Sequence, residues 1–467
     1  MDSVLRAESR LARPLPKLLP SRNRLTVFIF LYTVLCGGCI EEPRFRLDER
    51  ELLDPESCRG CHPEHYQQWS GSMHAYTGVD PLFAAQLRLG QEETQGELGD
   101  HCVSCHSPMA LRAGVTEDGL NLDEVEPYLR GITCAACHLV EGVFRDHNAG
   151  HSMADDGRLR GGIMHPVENE AHDSAYSLVH DRNSPDSSEL CGTCHCVWSS
   201  NEVHVERTMD EWRETVFSTY DLTRQTCSNC HMRGRDGAAA VTEHLPVRRL
   251  HDHSWPGVDT ALIDFPEREQ QAEMIQRELD SSLQARLCVL PEPGGVRVVV
   301  RLENISAGHR FPSGTAFDRR VWVELRALAS SEVLLTSGVV AADEPISSLV
   351  DPNLWLMRDR LLDETGEQVH FPWQAASVES ETLSASVTSD PADPRFYHYV
   401  ERSWPIYGAI PDRIELRVRM RAVGLEVLQQ LVDRAALDSS LPGQQPTWDL
   451  GNTVLVWEGA VGDCVPF

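Results

Sequence analysis

The pentapeptide pattern C-x-x-C-H constrains this chain most, because it occurs five times between residues 58 and 231. Two thiols three positions apart can add to the two vinyl groups of one haem, and the adjacent histidine can then bind the iron. The pattern therefore predicts five covalently bound c-type haems. The predicted thioether cysteines are Cys58, Cys61, Cys102, Cys105, Cys134, Cys137, Cys191, Cys194, Cys227 and Cys230. The predicted proximal iron ligands are His62, His106, His138, His195 and His231.

Two other kinds of site use paired cysteines. A tetrahedral zinc site combines cysteine with histidine, but it does not require a histidine immediately after every second cysteine. An array of redox-active disulfides explains none of the histidines. Haem attachment therefore accounts for more of the pattern than either alternative.

Composition limits the class of partner. The chain has 467 residues, enough for two domains, and its apolar fraction of 41% is ordinary for a globular protein. Its formal net charge of −29 argues against nucleic acid and against a basic patch that binds anionic lipid. The excess of acidic groups predicts a solubilising surface, or a surface that attracts redox partner proteins with a basic face.

The amino terminus predicts export. Basic residues precede the apolar run 25–35, which is too short to span a bilayer and is typical of a signal-peptide core. The run ends in Leu35-Cys36-Gly37-Gly38-Cys39, which resembles a bacterial lipoprotein cleavage box with Cys39 as the lipidated residue. An aliphatic residue is usual where Cys36 stands, so ordinary cleavage is the alternative. We expect a signal peptide over 1–39 and a periplasmic or outer-membrane-associated protein, in contact with the membrane only through a lipid anchor.

The motif region is predicted to be a pentahaem domain over residues 40–265. Successive motifs begin 44, 32, 57 and 36 residues apart, which is too little chain to build five separate apolar cores. The haems must therefore pack against one another in a stack. We expect short helices and long connections, with the macrocycles filling the volume that side chains fill elsewhere.

Several segments of this region resemble the tetrahaem cytochrome c of ammonia oxidisers and the hydroxylamine-oxidoreductase-like superfamily. The clearest is the first motif followed by Tyr66, Trp69, Ser70, Ser72, His74 and Ala75, and similar segments occur at residues 131–138, 172–180, 211–212 and 253–257. In that family the histidine of W-x-x-S-x-H binds a haem iron from the distal side. The resemblance therefore implies that His74 is a distal ligand, and it favours the same role for His172, His180 and His253.

The remaining distal ligand is chosen by elimination. Seventeen of the 20 histidines precede residue 254, which leaves twelve after the five proximal ligands, enough for a second histidine on each iron. His151 completes the predicted distal set. The reserve candidates for distal ligands are His165, His204 and His251. His101, which directly precedes the second motif, is assigned a structural role.

A different pattern begins near residue 266. Residues 266–287 are predicted to form a polar helix and linker, after which hydrophobic alternation predicts strands. These strands favour an antiparallel β-sandwich over residues 266–467, with one helix over 424–436. The predicted fold class is therefore α+β and multidomain. The predicted strands are Val296 to Leu302, Val321 to Leu328, Val333 to Val339, Ile414 to Met420, and Thr453 to Trp457.

The sequence also predicts roles for one further histidine and for three cysteines outside the motifs. His309 lies in a Gly/Pro turn, 307–314, which resembles a G-H-x-x-P-x-G signature of other multihaem cytochromes, and we favour a structural role over an approach to an iron. Cys288 and Cys464 stand at the two ends of the predicted sandwich and are expected to form a disulfide after export. Cys196, which follows the fourth motif, is expected to be buried.

The predicted function is electron transfer along the haem stack between respiratory partners, and whether the chain is also an enzyme stays open. An oxidoreductase acting on a small nitrogen or sulfur species is the alternative, which needs an iron with an open sixth position. The haem number matches pentahaem nitrite reductases, but those usually carry a lysine in one motif and a helical second half. A subunit whose β domain docks into a larger complex is a third possibility. The catalytic residues of an enzyme are not predicted.

Overall fold

The motif-bearing half of the chain is built from short helices joined by long connections. The computed structural model describes residues 46–220 and 224–466, so the predicted signal peptide and Cys39 lie outside the described residues. The helices of this half are α1 (Glu49–Leu53), α2 (Pro55–Arg59), α3 (Pro63–Ser70), α4 (Met73–Tyr76), α5 (Pro81–Glu93), α6 (Val103–His106), α7 (Pro108–Arg112), α8 (Cys134–His138), α9 (Asp186–His195), α10 (Thr208–Arg213), α11 (Val216–Thr219) and α12 (Cys227–His231).

The described strands of this half pair only into two-stranded sheets. They are β1 (Val140–Val143), β2 (His151–Met153), β3 (Arg158–Gly161), β4 (Asp173–Tyr176), β5 (Val197–Trp198), β6 (His204–Glu206), β7 (Asp236–Gly237) and β8 (Arg248–Arg249). They pair β1 with β2, β3 with β4, β5 with β6, and β7 with β8, and only the β3–β4 pair is parallel. Short 3-10 turns occur at Pro127–Leu129 and Leu178–His180.

Local sequence explains why these helices start where they do. α2, α3, α5 and α7 each begin with a proline, whose fixed φ suits the first helical turn. The side chains of Asp54 and Asp80 accept hydrogen bonds from backbone N–H groups at the starts of α2 and α5. Helices this short are not stable alone and depend on tertiary contacts. In the part of the chain that is described, no helix is long and apolar enough to cross a membrane.

The second half is an antiparallel sandwich, as predicted. Its elements are α13 (Arg268–Ser282), β9 (Leu283–Glu292), β10 (Gly295–Asn304), β11 (Arg320–Ala329), β12 (Glu332–Ser337), β13 (Leu356–Met357), β14 (Asp359–Leu362), β15 (Gln368–Val369), β16 (Ser377–Ser380), β17 (Val400–Tyr407), β18 (Arg413–Arg421), α14 (Leu425–Asp433), β19 (Trp448–Asp449), β20 (Leu455–Trp457) and β21 (Cys464–Val465). Further 3-10 turns occur at Ile346–Ser348, Pro372–Gln374, Pro394–Phe396, Pro442–Gln444 and Gly451–Thr453.

Two sheets face each other across one core. The first has the strand order β17-β10-β9-β21, and the second has the order β12-β11-β18-β19, with β13 added to β11 and β20 added to β18. Side chains at alternate positions of β9 and β18 point into this core, from Leu283 to Val289 and from Ile414 to Met420. A smaller sheet, β15-β14-β16, lies beside them. The chain therefore has an α+β multidomain fold.

Several strands of the second half, among them β9 and β17, were not predicted, and β9 contradicts a predicted helix and linker. The predicted polar helix and linker over 266–287 is a helix only to Ser282, and the strand β9 starts at Leu283. Leu283, Ala285, Leu287 and Val289 alternate with more exposed residues and fill the core, so tertiary burial decides their conformation. The predicted disulfide is confirmed, since Cys288 of β9 is bonded to Cys464 of β21.

The two halves pack against each other through an apolar cluster. Leu89 of α5 and Leu428 of α14 belong to it, together with Phe371 from the loop after β15. Residues from both halves thus form a single compact unit. The division at residues 265 and 266 stays a prediction, because this shared cluster crosses it.

Candidate haem sites

Each of the five C-x-x-C-H motifs lies in or beside a short helix. Positions three apart in a helical turn face the same side, so both thiols of a motif can reach one haem. The histidine ends the helix in the four later motifs, at α6, α8, α9 and α12. In the first motif Cys58 lies in α2, and His62 is the N-cap of α3. The ten motif cysteines are free of disulfides.

The five motif histidines are oriented in the same way. In each, the Nδ1 atom has a hydrogen-bond partner, which leaves Nε2 for an iron. Three of the partners are backbone carbonyls, one is a hydroxyl and one is a carboxylate. The distances from Nδ1 are 2.7 Å for His62 to Ala239 O, 2.7 Å for His106 to Thr77 Oγ1, 2.6 Å for His138 to Arg160 O, 3.4 Å for His195 to Glu206 Oε1, and 2.9 Å for His231 to Pro256 O.

Four motif histidines each face a second histidine, and the distance between ring centres is nearly the same in all four pairs. A metal–nitrogen bond is about 2 Å long and the imidazole centre lies about 1.2 Å behind its nitrogen, so two rings on one iron have centres about 6.3 Å apart. The observed centre-to-centre distances are 6.4 Å for His62 and His172, 6.3 Å for His138 and His253, 6.4 Å for His195 and His74, and 6.4 Å for His231 and His309. Each pair therefore has the spacing of two axial ligands.

The second histidines also leave Nε2 without a hydrogen bond. Nδ1 of His253 lies 2.9 Å from the carbonyl oxygen of His251, and Nδ1 of His309 lies 2.8 Å from that of Arg310. Nδ1 of His172 contacts the Ser174 hydroxyl at 3.2 Å, and Nδ1 of His74 is buried without a partner. Two free thiols can form the thioether bonds of a covalently bound haem, and one or two free imidazole nitrogens can bind its iron.

The second motif differs from the other four. Among the residues that the structure describes, no histidine ring faces His106 at the separation of an axial pair. The ring of Phe83 stacks on the His106 imidazole, with centres 4.0 Å apart and an interplanar angle of 2°. Thr77, which lies directly after α4, holds the Nδ1 atom. This motif therefore has the donor set for a single axial histidine.

Thiols from different motifs contact one another. Cys134 lowers the pKa of Cys58, Cys194 raises that of Cys105, and Cys227 raises that of Cys191, so these thiols of different motifs lie close together. The third motif also approaches the fourth, because burial and then Cys194 raise the pKa of Cys137 to about 12. The five motifs therefore form one connected cluster, in which the fourth lies next to the second, third and fifth.

Burial keeps most of the paired histidines neutral, which is the form that binds a metal. Burial, with a smaller contribution from His195, lowers the pKa of His74 to about 3, and burial lowers that of His309 to about 4. His195 is the exception. Burial lowers its pKa, but the hydrogen-bonded Glu206 carboxylate outweighs burial and raises the pKa of His195 to about 9.

Two predicted distal histidines are not paired in this way. His151 lies in β2 with Nδ1 3.2 Å from the Thr193 hydroxyl, and no motif histidine faces it among the described residues. His180 lies beside His138, with ring centres 5.8 Å apart. Its Nε2 is 3.0 Å from the carbonyl oxygen of Cys137 and its Nδ1 is buried without a partner, so neither nitrogen faces an open space. Their role as ligands stays a prediction without this geometric support.

The reserve histidines lie outside the four pairs. Nε2 of His204 is 3.2 Å from Sγ of Cys196, which is buried as predicted, and its ring stacks on Trp198. His165 is in the left-handed region with φ 58°. His251 offers its carbonyl to His253. Burial lowers the pKa of His101. Among the described residues, no motif histidine faces its ring.

Three residues of the sites were missed by sequence reasoning. His309 was assigned to turn structure, yet it forms the pair with His231. Thr77 and Glu206 carry no motif of their own, and only the folded chain brings them to Nδ1 of His106 and His195. The one available signal was the turn around His309, whose resemblance to a signature of other multihaem cytochromes gave a position without a role.

Two comparisons with known proteins found a match. Residues 57–139, which hold the first three motifs, match the model of the family described as cytochrome c554 and c-prime. The fold is similar to the crystal structure of a penta-heme cytochrome c552 from Thermochromatium tepidum, with a TM-score of 0.60 and 19% sequence identity. That match covers 87% of this chain and 98% of the other. No curated protein matches the sequence.

The five motifs and these two matches make the chain similar to multihaem c-type cytochromes with covalently bound haems. The family model covers less than a fifth of the chain, and the similar structure supports the fold. Membership of the hydroxylamine-oxidoreductase-like superfamily stays a prediction.

Proposed function

We propose that this chain is an exported pentahaem cytochrome c that carries electrons along a stacked haem chain between respiratory partner proteins. The observation that carries the proposal is the connected cluster of five motifs, four of which face a second histidine. An iron held on both faces by histidine can change its oxidation state but has no position for a substrate. The chain supplies the ligands, holds their orientation and keeps the haems close to one another.

Haem number is the first test. The intact mass of the matured protein should exceed the mass of the processed polypeptide by five haems, one for each free cysteine pair. A redox titration should then fit five one-electron couples per chain. A mass with three haems or fewer, or a titration with one couple, would contradict a chain of five haems.

Export and a lipid anchor at Cys39 belong to the same proposal. They are supported by the basic segment, the apolar run 25–35 and the Gly37-Gly38-Cys39 ending. Cys39→Ser should move the protein from the membrane fraction to the soluble fraction while all haems are retained. Cys36→Ser is the matched control and should leave the protein in the membrane fraction. A wild-type protein that is wholly soluble would refute the anchor.

The acidic surface supports partners with a basic face. With a formal net charge of −29, the chain should attract cationic redox proteins at long range. Electron exchange with a small cytochrome c of basic surface should slow steeply as salt is raised, because salt screens this attraction. A rate that does not respond to salt would argue against electrostatic recognition.

A second function is favoured by one observation, which is that no histidine of residues 46–220 and 224–466 lies opposite His106. We propose that the second haem has an open axial position and is the site where a small nitrogen or sulfur species would bind, if the protein is an oxidoreductase. The Thr77 hydroxyl and the Phe83 ring fix the His106 imidazole from the proximal side. Adding cyanide or nitrite to the oxidised protein should convert one high-spin iron to low-spin. If every iron is already low-spin before addition, this second function fails.

A further inference from the structure

We infer that His309 is the sixth ligand of the iron bound by His231, so that the sheet half of the chain completes a haem site of the other half. This inference rests on the proposed covalent haem at the fifth motif. It assigns a ligand to a histidine from outside the motif region, and it gives the sandwich a direct part in the redox cofactor.

The geometry of this pair is the most regular of the four. The ring centres of His231 and His309 are 6.4 Å apart and the rings are nearly parallel, with an interplanar angle of 10°. Nδ1 of His231 lies 2.9 Å from the carbonyl oxygen of Pro256, and Nδ1 of His309 lies 2.8 Å from that of Arg310. Both rings are therefore held on their Nδ1 side, which leaves the two Nε2 atoms for one metal ion.

The contacts of His309 are unlike those of a purely structural histidine. His398, also in the sheet half, uses both ring nitrogens, with Nδ1 3.1 Å from the carbonyl oxygen of Phe396 and Nε2 3.1 Å from that of Asn304. His309 bonds only through Nδ1, and to the residue next to it. A bond to the adjacent carbonyl does not hold distant segments together, so it does not explain why an imidazole stands at this position.

The sandwich fixes the turn that carries His309. Asn304 ends the core strand β10, and its side chain donates to the carbonyl oxygen of His309 at 2.7 Å and accepts from the N–H of Ala307 at 3.1 Å. Gly308 has φ +71°, the left-handed region that glycine adopts at no steric cost. Phe311 is buried in the core and exchanges two backbone hydrogen bonds with Leu383. The backbone on both sides of His309 is therefore held by the sheet half.

The motif-bearing half holds the same turn from the other side. Ser313 donates to the Glu211 carboxylate at 2.5 Å and lies 2.9 Å from the Thr208 hydroxyl, and the N–H of Gly314 donates to that hydroxyl at 3.0 Å. Both partners belong to α10, which precedes the fifth motif. Ligands held on rigid elements meet the narrow geometry that a metal requires. The turn is thus fixed between the sandwich and the helix before the haem it would complete.

The test uses a substitution that removes the imidazole nitrogen facing His231 and keeps the hydrogen bond within the turn. In the full-length, haem-loaded protein, His309→Asn retains an N–H that can donate to Arg310 O but removes the nitrogen that faces His231. Low-temperature EPR should show one low-spin iron fewer and one high-spin iron more than the wild type. Added imidazole should restore the low-spin signal, which a merely structural role would not explain. His309→Met should also keep six-coordination and raise the potential of one haem, as methionine ligation does.

The matched control is His398→Ala, which removes two hydrogen bonds near the same strand end without touching a paired ring. Its EPR spectrum should keep the wild-type number of low-spin irons. An unchanged count of low-spin irons in His309→Asn would overturn the assignment. So would a wild-type spectrum without any low-spin iron, and this measurement does not depend on any variant folding.

Failure of this inference can be told apart from failure of the proposed function. If intact mass shows a missing haem and peptide mapping places the loss at the fifth motif, the proposed pentahaem cytochrome is wrong, and the ligand assignment falls with it. If the mass shows five haems and the EPR count does not change in His309→Asn, the cytochrome stands and only His309 loses its role.

Discussion

The two halves of this protein obtain their interiors in different ways. The sheet half has one continuous apolar core between two sheets, in which Leu287, Val323, Val418 and Trp404 are all buried. Within residues 46–220 and 224–265, the other half has twelve helices, the longest of which is α5 with 13 residues, and its apolar clusters are small. Its residues instead surround five pairs of thiols. The comparison teaches that the sheet half encodes its core in side chains, whereas the motif half leaves that volume to covalent cofactors.

The largest effect should come from withholding haem. We expect the full chain, exported in a host that lacks the haem-attachment system, to fold only in its sheet half. Limited proteolysis should then remove the motif region and leave a resistant fragment that begins between residues 266 and 283 and contains the disulfide. The haem-loaded protein is the control and should be protected in both halves. Protection of residues 46–265 without haem would break the comparison.

A core substitution in the sandwich should come next. Leu287 of β9 is fully buried, and Leu287→Ala should lower the free energy of unfolding of the sheet half by about 2–5 kcal/mol, from lost burial and a cavity. The spectrum of the haems should not change at temperatures where the sheets remain folded. Val333→Ala on the exposed strand β12 is the control, and its effect should be within about 0.5 kcal/mol. Chemical denaturation followed by far-UV circular dichroism measures both.

Removing the disulfide should have a similar or smaller effect. Cys288 and Cys464 are 176 positions apart and join the first and last strands of the sandwich. The double change Cys288→Ser and Cys464→Ser should lower stability by about 2–4 kcal/mol, because the unfolded chain gains freedom. Mild reduction of the wild type should reproduce the loss. If neither treatment changes the denaturation midpoint, the disulfide does not stabilise the sandwich.

Acidity should affect the sheet half through Asp318. Burial raises the pKa of Asp318 to about 7, against the lowering effects of Arg319 and Arg320. An unfolded aspartate titrates near pH 3.9. The contribution of the neutral carboxyl is therefore complete below about pH 4 and is lost as the pH rises through about 7. Asp318→Asn should flatten this decline in unfolding free energy. An identical pH profile in wild type and variant would show that Asp318 does not control it.

The smallest effect on structure is expected for a change at Glu206, which should instead alter the reduction potential of one haem. Among the described residues, its carboxylate is the only charged group that bonds Nδ1 of a motif histidine, whereas the other four Nδ1 atoms contact neutral oxygens. A carboxylate makes the imidazole a stronger donor to the metal, which favours oxidised iron. Glu206→Gln should raise the reduction potential of one haem. A tenfold shift of the redox equilibrium toward reduced haem corresponds to a rise of about 59 mV. Thr77→Val is the control and should affect a different haem.

Much of the fold followed from local pattern. Alternation of apolar residues predicted the strands that became β10, β11, β12, β18 and β20, and the disulfide followed from two cysteines outside the motifs. β9 was missed, because its first residues continue a polar helix and only the burial of Leu283, Ala285 and Leu287 makes them a strand. Patterns within a few residues are readable where local preference and tertiary burial agree.

The sequence by itself determined the attachment chemistry, because the thiols and proximal histidine of a haem must be neighbours in the chain. The second axial position has no such requirement, since a histidine from any segment can face an iron if the fold brings it there. Tertiary structure alone decided that His309 faces His231, that Thr77 and Glu206 bond His106 and His195, and that no histidine among the described residues faces His106. The three contacts join residues 78, 29 and 11 positions apart and depend on how separate helices and turns pack.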